Sequence, residues 1–153
     1  MKKVGIVIAL VLILLSATAC FIQTRQDNVL ESLGAYQSKQ VWTSGGFQDY
    51  TDFGIYTYSS VSMKNNSYFA SVTDGDIQTI LSYVDDFNGW IDAHRRNDPN
   101  GELVLNYAFD PSIIDTGDFF YIYEKEGYPP FGLYDLWFFD TQSNTLYYFH
   151  NNI

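Results

Sequence analysis

Two imidazoles, one thiol and a surplus of carboxylates are the side chains from which any chemistry of this chain must be built. His94 and His150 are its only histidines and Cys20 its only cysteine. Nucleophilic catalysis needs a Ser, Cys or Lys held against a base. No Gly-x-Ser-x-Gly elbow occurs, and His94 and His150 read as boundary residues, one near the end of a helix and one at the end of the last strand. A single cysteine excludes an internal disulfide and a cysteine-built zinc site. The carboxylates come in close pairs: Asp49 with Asp52, Asp74 with Asp76, Asp85 with Asp86, Asp115 with Asp118. A glycosidase needs two that converge across a cleft, whereas Asp74-Gly75-Asp76 suits the start of a helix and Asp115-Thr116-Gly117-Asp118 suits a turn. No pair has the twelve-residue ligand spacing of a helix-loop-helix calcium site, and Asp98-Pro99-Asn100-Gly101 is turn chemistry. The sequence therefore assigns no catalytic residue, no metal ligand and no cofactor.

One segment has the composition of a ligand contact. From Gly45 to Gly54, glycines flank aromatics alternating with polar and acidic residues. Phe47, Tyr50 and Phe53 suit stacking on a sugar ring or a cationic group while Asp49 and Asp52 exchange hydrogen bonds with it. The same rings also suit a loop that caps the open end of a sheet. A second row, Tyr83, Phe87, Trp90 and His94, recurs at helical spacing and reads as the margin of a core, or as a partner surface should Trp90 be exposed.

The elements that position these residues follow from periodicity. Ile77, Ile80, Leu81, Val84, Phe87, Asn88 and Ile91 form one stripe of an amphipathic helix that begins at Thr73 or Asp74 and closes on Arg95-Arg96. Residues 54–62, 102–109, 119–124, 134–139 and 145–149 are short, aromatic or β-branched runs bounded by Gly, Pro, Asp or Asn, and each predicts a strand. The last two are joined by a five-residue loop, 140–144, of hairpin length. The fold expected is α+β, an antiparallel sheet of about five strands with one long amphipathic helix on one face. Many unrelated functions use that layer arrangement.

The chain has 153 residues, 8 Lys and Arg against 18 Asp and Glu, a net charge of −10, and 28 aromatics counted as 12 Phe, 13 Tyr and 3 Trp. So acidic a chain repels phosphate backbones, and a nucleic-acid partner is not expected. The first residues have a different composition. Met1-Lys2-Lys3 is followed by the uncharged aliphatic run 4–15 and by Ser16-Ala17-Thr18-Ala19-Cys20. A basic start, a short apolar stretch and small residues are the marks of an export signal, and 4–19 is too short to span a bilayer comfortably as a helix. Ala17-Thr18-Ala19-Cys20 in that position resembles the lipobox of bacterial lipoproteins, with Ala17 where that family favours Leu. The resemblance covers about the first twenty residues. It implies that Cys20 receives a diacylglycerol, that the chain is cut before it, and that the mature protein starts at Cys20. Without its first 19 residues the chain keeps 134, with six Lys and Arg against 18 Asp and Glu and a net charge of −12. Like charge pushes such a domain away from anionic lipid, so the lipid chains do the holding.

The organisation expected is a signal at 1–19, a lipidated N-terminus and tether with a short helix at 20–46, and one α+β domain at 47–153. The function expected is a non-catalytic binding module on the extracytoplasmic face of the cell membrane, contacting a protein or an envelope component. An Asp-based hydrolase of envelope glycans and an immunity-type protein that sequesters a cationic peptide are the alternatives.

Overall fold

A computed structural model describes residues 25–45, 49–127 and 130–152. The chain divides into two compact units, 1–35 and 36–153. In the first, residues 25–33 are helical (α1) and bury Val29, Leu30 and Leu33. Gly34, at φ +86°, takes the left-handed conformation that ends such a helix. Among the described residues no helix is long and apolar enough to cross a membrane.

The described residues of the second unit form six strands, β1 (Ser38–Gly45), β2 (Tyr50–Thr57), β3 (Ala70–Ser71), β4 (Phe119–Glu124), β5 (Leu133–Asp140) and β6 (Thr145–Asn152). Its helices are α2 (Asp74–Asn97) and α3 (Glu102–Asn106), followed by a single 3₁₀ turn at Pro111–Ile113. The strands form one sheet in the order β1-β2-β6-β5-β4-β3, with every pairing antiparallel. The β1-β2 hairpin and the β4-β5-β6 meander are each local. What joins them is the C-terminal strand, which enters between β2 and β5.

Pairing register sorts the side chains onto two faces. On one face Phe53, Phe149, Leu136, Tyr134 and Phe138 meet Ile80, Tyr83, Val84, Phe87 and Ile91 of α2 in a single core. The polar member of the predicted stripe, Asn88, accepts a 2.7 Å hydrogen bond from the Tyr107 hydroxyl. The start of α2 is held by Asp76, whose carboxylate accepts from both the backbone N–H and the hydroxyl of Thr73. Those two bonds, the hydroxyl's first, keep the Asp76 carboxyl below the usual carboxylate range. A carboxyl depressed in the folded state stabilises above its unfolded value, and that contribution disappears as pH falls through the folded value. The stability difference between the wild-type chain and Asp76→Asn is therefore expected to shrink as pH drops below about 4, as urea unfolding followed by circular dichroism will show.

Three sequence expectations change. Residues 102–109 were expected as a strand, but α3 occupies most of that stretch. A strand would put Leu103 and Leu105 on the same side, whereas the helix buries Leu103 completely and leaves Leu105 66% exposed. The stretch 38–45, expected within the tether, is strand β1, so the compact unit begins at Tyr36 and not at 47. The segment 50–57, expected as the end of a loop and the start of a strand at 54, is strand throughout and pairs on both sides. Gly45 closes the hairpin at φ +118°, where any Cβ would strike the carbonyl oxygen of Asp49.

Candidate functional site

Of the five residues picked out around the hairpin, the four that are described do not share a surface. Phe47 lies outside the described residues, as does Cys20. Asp49 stands exposed in the bend before β2. Tyr50 and Asp52 point to the face opposite α2, whereas Phe53 is fully buried on the α2 face between Trp42, Phe87, Tyr107 and Phe149. Alternation along one strand separates what their closeness in sequence suggested was one surface.

What the sheet does bring together is a polar row on the face opposite α2. Thr43, Asp52, His150 and Asp135 are successive cross-strand neighbours on β1, β2, β6 and β5. His150 has no exposed surface and Asp135 is 2% exposed. His150 Nδ1 lies 2.7 Å from Asp135 Oδ1, and the Tyr148 hydroxyl donates to the same oxygen at 2.9 Å. Burial first, then the Asp135 charge, pushes the Tyr148 phenol far up, so it remains a donor. Aromatic rings wall the row. Tyr50 is 4.7 Å from the His150 ring, Tyr148 lies 6.2 Å from it, and Trp137 stacks on Tyr148 at 4.0 Å. Burial raises the Asp52 carboxyl, against a Thr43 hydrogen bond and the His150 charge that lower it; Asp135 pushes it further up. His150, expected as a strand-end boundary residue, is instead an interior side chain.

A second cluster sits under the C-terminal end of α2. His94 Nδ1 is 3.0 Å from Ser44 Oγ and its Nε2 is 3.2 Å from Thr51 Oγ1, which donates in turn to Asn151 Oδ1. Desolvation lowers His94's proton affinity, so the positive partner expected for the helix dipole is a neutral ring at neutral pH. Ser44 beside a neutral imidazole has the reach for proton transfer. The other ring nitrogen, however, meets a hydroxyl and not the carboxylate that orients and charges a catalytic base. This cluster ties helix to sheet. Trp90, the intervening member of the helical row, is half-buried and bonds Asp86.

The carboxylate pairs are likewise drawn apart into supporting roles. Asp86 accepts from the Tyr134 hydroxyl and Asp85 is exposed. Asp118 is 2% exposed and accepts from Asp115 N, Thr141 N and Thr141 Oγ1. Asp140 holds the β5-β6 hairpin through Gln142 N, Ser143 N and Ser143 Oγ. Among the described residues no three His, Cys, Asp or Glu side chains converge as a metal site would require. Asp135 escaped sequence reasoning, although a signal existed: it is the one charged residue inside the apolar run 133–139, and a charge in such a strand needs a buried partner. Compared with known proteins, the chain matches no family model, no curated protein and no solved structure.

Proposed function

We propose that this chain is a lipoprotein held on the extracytoplasmic face of the cell membrane by a diacylglyceryl group on Cys20, and that unit 36–153 is a non-catalytic binding module for a protein or an envelope component. The observation that carries the anchor is Ala17-Thr18-Ala19-Cys20 directly behind a basic start and an uncharged aliphatic run. Two acyl chains supply the double attachment that stable membrane residence requires. The use of the acidic side chains supports a module that binds without catalysing. A glycan hydrolase would need Asp49 or Asp52 to face a second carboxylate across a cleft. Asp49 is an exposed bend residue, Asp52 stands opposite a histidine, and Asp135 is engaged by His150 and Tyr148. The net charge of −12 after cleavage favours basic partners, whose capture weakens as salt is added.

Mass spectrometry of the mature N-terminus, with membrane fractionation of a Cys20→Ser variant, tests the reading. Cys20 is expected as the first residue and to carry acyl chains, and the variant is expected to leave the membrane fraction. A variant cut at the same bond and still bound to the membrane would overturn the anchor.

A further inference from the structure

Four hydrogen bonds run in series under the C-terminal end of α2, and a backbone carbonyl at one end fixes the direction of them all. The carbonyl of Phe131, just before β5, is an acceptor only. The Asn151 amide that meets it at 3.3 Å therefore turns Nδ2 that way and Oδ1 toward β2. Asn151 Oδ1 is an acceptor too, so the Thr51 hydroxyl, 3.3 Å away, gives it its one hydrogen. Thr51 Oγ1 then has only lone pairs to offer His94 Nε2 at 3.2 Å, and Nε2 carries the N–H. In a neutral ring Nδ1 is consequently bare, and the Ser44 hydroxyl donates to it across 3.0 Å. Thr51 is 3% exposed and Asn151 1%, whereas Ser44 and His94 are half-buried. Phe131 takes φ +61°, uncommon for a residue with a side chain, and its ring packs edge-on against Tyr83 and Tyr134. Those contacts hold in place the carbonyl that sets the direction.

We propose that Ser44, His94, Thr51 and Asn151 form a one-way hydrogen-bond chain ending on the Phe131 carbonyl, and that His94 is the joint at which acid releases the end of α2 from the β1-β2 hairpin. One proton from solvent adds to the Nδ1 lone pair and forms an N–H bond; no covalent bond breaks. Nδ1 and the Ser44 hydroxyl then face each other as two donors, so the hydroxyl has to turn. The ring is now a cation between two hydroxyls with no carboxylate bonded to it. A half-buried cation recovers its hydration by swinging out, and both links to the sheet go with it. The inference does not depend on how the chain is anchored or on what it binds.

The groups around the ring leave that charge uncompensated. On the α2 face the neighbouring positions are Trp42 and Ser44 of β1, Thr51 and Phe53 of β2, and Phe149 and Asn151 of β6, none of them charged. Tyr134 of β5, opposite Asn151, and Tyr107 after α3, against Phe53, are phenols that burial pushes far up, and both stay neutral. On α2 itself Asp92 is engaged by Arg95, and Arg96 is exposed. Asp98 at the end of α2, Asp49 before β2 and Glu102 at the start of α3 are exposed as well, where an ion pair is worth little. Burial is what lowers the ring's proton affinity.

A histidine that holds its proton less tightly in the folded chain contributes stability above its unfolded value, about pH 6.5, and loses that contribution as pH falls through the folded value. Asp52 and Asp86, raised by burial, act oppositely, and comparing variants cancels them. The test uses the full chain, ¹⁵N-labelled and held in detergent micelles, from about pH 7.5 to about pH 5. His94→Gln, whose amide both donates and accepts but does not titrate, identifies the His94 ring signals. At neutral pH the wild-type ring is expected to carry its hydrogen on Nε2 with Nδ1 bare, and Thr51→Val, which removes the acceptor, is expected to move the hydrogen to Nδ1. On acidification the protection of amides 42–44, 51–53 and 94–97 is expected to fall in the wild type and to hold in His94→Gln, with the wild-type urea midpoint dropping relative to the variant's. A hydrogen on Nδ1 at neutral pH, or a ring that takes up its proton while those amides stay as protected as before, would overturn the proposal. The wild-type spectra decide even where a variant does not fold.

Discussion

Replacing Phe53 by alanine is expected to lower the unfolding free energy by about 4 kcal/mol. The ring has no exposed surface and contacts Trp42, Phe87, Tyr107 and Phe149, with centroids 4.9 to 6.3 Å away. These neighbours come from β1, α2, the segment after α3, and β6. No one of them can move into the vacated volume without leaving its own contacts, so the cavity persists and its cost adds to the lost burial. A domain of this size has a total stability of only about 5–15 kcal/mol. The variant is thus expected to unfold at far lower urea, read by tryptophan fluorescence and circular dichroism, with an unchanged slope. Leu105→Ala is the control: at 66% exposure it is expected to change stability by no more than about 0.5 kcal/mol.

Asp118→Ala is expected to cost about 3 kcal/mol, although no ring or methyl is lost from the core. The carboxylate receives three hydrogen bonds, from Asp115 N at 3.1 Å, Thr141 N at 2.9 Å and Thr141 Oγ1 at 2.8 Å. Its own backbone extends the same staple, since Asp118 O accepts from Val72 N at 2.8 Å. One residue therefore fastens the turn before β4 to the β5-β6 hairpin and to the chain entering α2. Removing the side chain takes from the Asp115 and Thr141 N–H groups the acceptor that ties the two turns together. Asp118→Asn keeps an acceptor and loses the charge, and is expected to cost about half as much. Urea midpoints of both variants, with amide exchange at Asp115 and Thr141, check the ordering.

Local chemistry was legible wherever near neighbours decide the outcome. The stripe from Ile77 to Ile91 fixed α2 because a 3.6-residue period needs only the helix itself. The runs 119–124 and 134–139 and the loop 140–144 emerged as strands and hairpin for the same reason. Residues 102–109 did not, because Leu-Val-Leu satisfies a strand and a short helix equally, and burial of Leu103 chose between them. Strand β1 was hidden because Lys39, Gln40 and Thr43 belong to an edge strand with little to bury.

By itself the sequence determined the layer class, the long helix, the acidic surface and the lone cysteine behind an apolar run, each a property of composition or of spacing along the chain. Only the tertiary structure decided that β6 enters beside β2. That pairing sets His150 between Asp52 and Asp135 and turns Phe53 away from Tyr50 and Asp52. The reason is physical: cross-strand register joins residues about a hundred positions apart, and the burial that makes a carboxylate or an imidazole unusual exists only once those strands have met.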